Sequence, residues 1–456
     1  LGKATAGTIT HKQYLFLALP LILATISTPL LGAVDTAVVG FLDDPAYIGG
    51  MAVGTLIFNT LYWLFGFLRV STSGYTAQAV GAGNEEAALL NLLRAAFLAT
   101  SAGLLFMVLQ LPIWDLAMYF IQPSENVMSQ GSKYFDVRIW GAPFTLLNYV
   151  IFGWLIGKAK VRVVLLLQLG CNLLNMGLNV FFVYSIQMGV AGVGVATLIS
   201  EVLATVIGCL FMMKYINFDH TIFKNKAIVA FQPMIHMVKV NQDLFIRTAC
   251  LLAVFGVFTS IGASMGEVII AANAILFQLH FIMAYFFDGL ANASSIFAGK
   301  AVGANDKKLF RCTIYIGCFW SVALVFLLTV MMYVGGSWLI SLFTNIEEVH
   351  ATAVSYKRWV TLFPLTGFLG LQLYGFYTGA THVGPVRNSL LISLLIFVLS
   401  VWFTVPAWGN HGLWFSFILF TMLRSLTLWA FFSKLQRTVF WQSSRYSSQN
   451  WSNPLS

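Results

Sequence analysis

Asp35 is the residue of this chain best placed to do chemistry. In residues 11–40, HKQYLFLALPLILATISTPLLGAVDTAVVG, it is the one carboxylate of an otherwise almost wholly apolar stretch, with Pro20 upstream of it. A lone acid at membrane depth costs at least ~2.5–3.5 kcal/mol, so such a group usually faces a bundle interior or an aqueous cavity and takes part in an ion path. Thr25, Thr28, Gly32 and Asp35 recur every three or four residues and therefore share one face of a helix. No Lys or Arg lies near Asp35 in sequence, which suits its carboxyl to taking up and releasing a proton. Pro20 removes one backbone hydrogen bond and is a natural bend point. The expectation is that protonation of Asp35 selects between straighter and more bent forms of this helix.

A second stripe has matching chemistry. Gln168, Asn172, Asn175 and Asn179 form an amide-rich seam on an otherwise apolar helix. Such a seam can glue helices together, at ~0.6–2 kcal/mol per contact, or it can wall a polar cavity. Four amides in register favour the cavity wall. Three more carboxylates fall within apolar stretches. Asp243 has Arg247 one helical turn on and is expected to pair with it. Glu201 and Asp288 have no local partner and could either bond across helices or line the cavity.

The elements that must hold these groups are membrane helices. Of 456 residues, 59% are hydrophobic and only 9% charged, where a soluble domain carries about 25% charged residues. Apolar blocks broken by short polar loops give about twelve spans, since each needs ~20 residues to cross the hydrocarbon. The spans read as 13–40, 46–80, 87–111, 124–157, 162–186, 190–215, 238–262, 266–301, 309–333, 346–379, 385–408 and 411–434. The alternating strands of a membrane β-barrel are missing. The net charge of +9 is not gathered on a soluble face, so nucleic acid is not an expected partner. Lys and Arg instead collect in alternate loops, which puts both termini in the cytoplasm of a bacterial-type inner membrane. The first apolar run lacks a small-residue cleavage site and reads as a retained helix. The five cysteines fall within or at the ends of spans and read as packing residues.

Residues 215–233 form the longest polar interruption. The organisation read from this is an N-terminal lobe over 1–215, a cytoplasmic linker over 216–235, a C-terminal lobe over 236–434 and a cytoplasmic, loosely ordered tail over 435–456. The lobes repeat one another. Ala79-Val80-Gly81-Ala82 recurs as Ala301-Val302-Gly303-Ala304, and the same offset lays Asn84 on Asp306; a slightly smaller one lays Gly189 on Gly409 and Gly192 on Gly412. With six spans each, the two halves enter the membrane in the same orientation. The fold class is thus an all-α integral membrane protein of two pseudo-symmetric six-helix bundles.

No enzyme constellation is found. The seven histidines make no i,i+4 metal pair and no Cys/His cluster, and Gly189 to Gly194 lacks the Lys of a phosphate loop. No metal site and no cofactor is expected, so energy must come from a gradient. A channel would need lining charges or a filter motif, and neither appears.

Several motifs carry a resemblance. Val34-Asp35-Thr36-Ala37 after Pro20, Thr76-Ala77-Gln78-Ala79-Val80-Gly81-Ala82, the Asn175-to-Asn179 pair and Gly192-Val193-Gly194-Val195-Ala196-Thr197 are similar to the multidrug and toxic compound extrusion (MATE) family, in its DinF-like branch. Asn241-x-Asp243-xxx-Arg247, Ala271-Ala272-Asn273-Ala274 and Gly375-xxx-Gly379-Ala380-Thr381 agree in the second half. The resemblance implies alternating access and export of diverse, often cationic amphiphiles against inflowing protons or sodium ions. By motif position Asp35 matches the coupling acid and Pro20 the bending proline, while Asn175 and Thr197 match polar partners in the same pocket. Asn179 stands where several relatives have a second acid. The tenth helix lacks the carboxylate that other branches use for sodium. Proton coupling is therefore the expectation, with a sodium site at Asp35 and the amides as one alternative and lipid or lipid-linked precursor flipping as another. Small drug-like molecules and the bilayer are the expected partners, and the chain is expected to be a monomer.

Overall fold

The computed structural model describes residues 8–40, 42, 45–216 and 231–448, the side chains of 28–30, 33, 36, 45, 231–236, 436–437, 439 and 441–448 excepted. The described residues are helical and contain no strand. In chain order the helices are α1 (His11–Gly40), α2 (Pro45–Phe65), α3 (Phe67–Gly81), α4 (Glu85–Val108), α5 (Gln110–Ile121), α6 (Glu125–Arg138), α7 (Ala142–Gly157) and α8 (Val161–Val180). They continue as α9 (Val190–Met213), α10 (Phe231–Ser264), α11 (Glu267–Gly303), α12 (Lys307–Ser341), α13 (Glu347–Gly379), α14 (Gly384–Trp408) and α15 (Asn410–Ser448). A 3₁₀ turn, Ile139–Gly141, joins α6 to α7, and a π-helical turn, Phe181–Ser185, extends α8.

Eleven spans among the described residues are long and apolar enough to cross a membrane, α2 with α3 and α6 with α7 each counting as one. The 30 residues of α1 are long enough to make a further one. The chain is a multi-pass membrane protein whose large apolar side chains, such as Val108, Phe326 and Trp402, point outward.

The chain divides into two compact units. One comprises Leu23–Val80 and Asn84–Val238; the other comprises the residues up to Ile22, Gly81–Gly83 and those from Lys239 onward. The division falls inside α1, just after Pro20, although α1 runs unbroken through that proline. In the C-terminal unit the first half of α1 is fixed by Tyr14, whose hydroxyl donates to Leu290 O (2.9 Å) and lies 2.7 Å from Ser294 Oγ. Gly289 permits this docking, since a Cβ there would stand 2.8 Å from the Ile22 backbone nitrogen.

The internal repeat is visible in the backbone. Asn84 and Asp306 both cap the helix that follows, their side chains accepting from Ala87 N (2.8 Å) and Leu309 N (2.9 Å). Gly189 (φ 56°, ψ −137°) and Gly409 (φ 54°, ψ −131°) make the same turn before α9 and α15, in a region open essentially to glycine alone.

Two parts differ from the expectation. Residues 112–121, left between the spans 87–111 and 124–157, belong to α5, which buries none of its residues and exposes Leu111, Tyr119 and Phe120. An apolar helix without a buried face suits the lipid boundary, and its 12 residues are too few to span it. The tail is not loose at its start: α15 continues to Ser448, with Leu435 and Phe440 buried and the Phe440 ring 5.5 Å from that of Phe310. These apolar anchors are spaced too thinly among Ser, Gln and Arg to stand out in sequence. Most of the expected linker, 217–230, lies outside the described residues.

Candidate functional site

In the N-terminal unit the second half of α1 packs polar groups against α8. Asp35 accepts a hydrogen bond at Oδ1 from Asn179 Nδ2 (2.6 Å), and Asn179 also donates to Asn175 Oδ1 (2.9 Å). Asn175 in turn lies 3.0 Å from the Thr197 hydroxyl of α9. Turned over, the Asn175 amide would place its nitrogen 3.2 Å from Asp35 Oδ1 and accept from Thr197 N and Oγ1. The acid and three predicted polar partners therefore form one continuous chain. One turn away, Asn172 donates to Ser27 O (3.3 Å) and Ser27 Oγ (3.1 Å), which ties α8 to α1. The Tyr184 hydroxyl, in the π-helical turn, donates to Val38 O (2.7 Å) and closes the far end of the same contact.

The amide seam has two functions along its length. Asn172, Asn175 and Asn179 are all buried and Gln168 is half-buried. Asn172 acts as interhelical glue, whereas Asn175 and Asn179 surround the acid. Thr25 is buried on the same helix as Asp35. The side chain of Thr28 lies outside the described residues. Asp35 is half-buried, and among the described residues no Lys or Arg stands within ion-pair distance of it.

Space adds a cation that sequence order hides. Arg138, at the end of α6, lies within electrostatic reach of both Asp35 and Glu201. It donates from Nη1 to the Tyr134 hydroxyl and sits over the rings of Phe58 (4.9 Å), Tyr134 (5.4 Å) and Tyr62 (5.9 Å). Its Nε is buried without an acceptor. Glu201, on α9, accepts from Thr145 Oγ1 and lies against Gly141, where a Cβ would come 2.8 Å from Oε2. Asn148 and Thr205 close the network around the Glu201 carbonyl at 3.0 and 2.9 Å. Glu201 thus bonds across helices, one of the two readings left open for it. Arg138 and Tyr134 were missed; the available signal was a Tyr and an Arg one helical turn apart in span 124–157.

In the C-terminal unit the expected pairing of Asp243 with Arg247 does not form. Arg387, at the start of α14, takes Asp243 instead (2.6 Å), and Arg247 stacks 4.3 Å over the Tyr374 ring. Arg387 reaches Asp243 from a neighbouring helix in a direct, charge-assisted contact. Asp288 accepts from the Asn292 amide one turn on (2.9 Å).

A family model described as MatE matches residues 20–181 and again residues 244–405, two stretches of equal length that cover most of the chain. DNA damage-inducible protein F of Escherichia coli (strain K12) is 36% identical over 95% of this chain and 94% of its own length. The probable multidrug resistance protein NorM of Photorhabdus laumondii is 23% identical over 93% and 96%. Among solved structures, a MOP superfamily transporter from Pyrococcus furiosus superposes with a TM-score of 0.86 over 94% of this chain and 96% of that one, at 17% identity, a likeness of fold.

Proposed function

This chain belongs to the MATE family of transporters, in its DinF-like branch, and from that premise we propose that it is a proton-driven exporter of chemically diverse, often cationic amphiphiles. It is a membrane transporter and not an enzyme. Protons from outside reach Asp35 and neutralise it. Its bond from Asn179 then changes from charge-assisted to neutral, which weakens it by roughly half. The hold of α8 on the second half of α1 relaxes, α1 rearranges around Pro20, and the bound compound leaves outward. Loss of the proton to the cytoplasm restores the starting arrangement.

The observation that carries this reading is the 2.6 Å bond from Asn179 to an acid that has no ion-paired base among the described residues. The preference for the proton over sodium rests on the tenth span, α13, which has no carboxylate beyond Glu348 where other branches of the family use one for sodium. The distribution of Lys and Arg among the loops supports a bacterial-type inner membrane with both termini cytoplasmic. A monomer is sufficient, since the polar chain from Asp35 to Thr197 is complete within one copy.

The test is efflux from proteoliposomes under imposed proton or sodium gradients, comparing the native protein with Asp35→Asn. The native protein should accumulate an amphiphilic cation only under a proton gradient, and Asp35→Asn should lose the uphill component. Uphill accumulation at the native rate by the variant overturns the coupling role of Asp35. Dependence on sodium alone overturns the choice of ion.

A further inference from the structure

In the C-terminal unit two arginines lean on one helix, α13, one turn apart, at Gly370 and Tyr374. Arg247 on α10 and Arg424 on α15 lie within electrostatic reach of each other, and both lie within reach of Tyr374 of α13. The Arg247 guanidinium lies 4.3 Å over the Tyr374 ring. Arg424 Nε rests on α13 at Gly370, where a Cβ would come within 3.2 Å. His280 of α11 shares these surroundings, within reach of Arg424, and its buried Nδ1 has no partner.

A guanidinium inside a spanning segment normally finds a carboxylate. Among the described residues neither Arg247 nor Arg424 has one. Away from the span ends, the acids of this unit are engaged elsewhere, Asp243 with Arg387 and Asp288 with Asn292. Both arginine residues keep part of their surface exposed. Bringing two unpartnered cations together raises the energy of the empty unit, and an anion between them lowers it. Guanidinium forks suit carboxylate, sulfonate and phosphate groups, which they can hold by two parallel hydrogen bonds. Beside the His280 ring, Phe255 is half-buried and offers apolar surface for a hydrocarbon body, while Phe363 and Phe417 are buried behind it.

We propose that Arg247, Arg424 and Tyr374 form an anion-recognition site in the C-terminal unit that takes the acidic head group of an amphiphile. This rests on the exporter reading above and widens it, adding anionic and zwitterionic amphiphiles to the cargo.

The experiment measures the ratio of affinities for two matched probes, radiolabelled laurate and dodecyltrimethylammonium, by equilibrium dialysis against the full chain in phosphatidylcholine nanodiscs. Arg247→Gln and Arg424→Gln should each lower the laurate-to-cation affinity ratio at least about tenfold, the weight of one charge-assisted contact. Arg424→Lys, which keeps the charge and loses the fork, should recover part of that ratio. A second set of nanodiscs containing phosphatidylglycerol separates the sources. Suppressed laurate binding there identifies a lipid head group as occupant, and unsuppressed binding identifies a free amphiphile. An unchanged ratio in both glutamine variants overturns the site, including the case in which a damaged fold weakens both probes equally. Gradient-driven cation transport by the native protein is measured separately, so failure of the exporter reading leaves the probe ratio to judge this one.

Discussion

Removing Arg138 tests whether the polar interior of the N-terminal unit is one electrostatic network. Arg138→Met keeps most of the volume and loses three things visible in the structure. The first is the hydrogen bond to the Tyr134 hydroxyl, worth about 1.5–3 kcal/mol for a charged donor. The second is the set of contacts with Phe58, Tyr134 and Tyr62, worth about 0.5–1 kcal/mol each when partly exposed. The third is the only cation within reach of Glu201 among the described residues. Offsetting gains come from burying an apolar side chain in place of a guanidinium with an unpartnered Nε. The net expected loss is about 3 kcal/mol, at the lower edge for breaking a buried charge pair because Arg138 is only half-buried. Glu201→Gln alone keeps an acceptor for Thr145 and should cost about 1–2 kcal/mol. The double variant no longer leaves a carboxyl group without its cation, so it should be less destabilised than the two singles combined by about 1–2 kcal/mol. Unfolding in mixed micelles of increasing dodecyl sulfate, followed by far-ultraviolet circular dichroism, gives the three shifts. Additivity within about 0.5 kcal/mol would mean that Arg138 and Glu201 are independent and that no network joins them.

Gly289→Ala should force the α1 backbone at Ile22 away from α11, an overpacking cost of about 1–3 kcal/mol. A native thermal midpoint in that variant would show that the first half of α1 is not tightly seated. Phe440→Ala removes a buried ring from its contact with Phe310 and should cost about 3 kcal/mol. Limited proteolysis should then cut beyond Leu435 in the variant well before it does in the native protein; equal cutting times would remove any structural role for the tail.

The spans were legible because apolar length is nearly all that a membrane asks of a helix, and their read ends fall within a few residues of the observed ones over most of the chain. Span 309–333 was read short because Gly335 and Gly336 look like a loop, whereas α12 continues to Ser341. The seam from Asn172 to Asn179 was legible for a similar reason: amides repeating at helical spacing on an apolar helix have few places to go except inward. Partners supplied by other helices were not legible. Asp243 passed over the arginine on its own helix for Arg387, and Arg138 came within electrostatic reach of Asp35 from a different span. Local spacing says which groups can meet on one helix, but competition from a neighbouring helix is decided by packing. α5 escaped because a twelve-residue, mostly apolar segment holding Pro112 satisfies neither the length of a span nor the polarity of a loop.

The matched reverse turns at Gly189 and Gly409 have a consequence for how such a chain can diverge. A backbone bent to nearly the same angles in both copies holds glycine in place whatever happens to the letters around it, so these two positions are fixed pins for aligning one copy with its twin. Segments exchanged at those pins should join without strain. A chimera carrying one copy's hairpin in the other would then inherit its neighbours' charges while keeping its shape, and would separate what the scaffold contributes from what the side chains select.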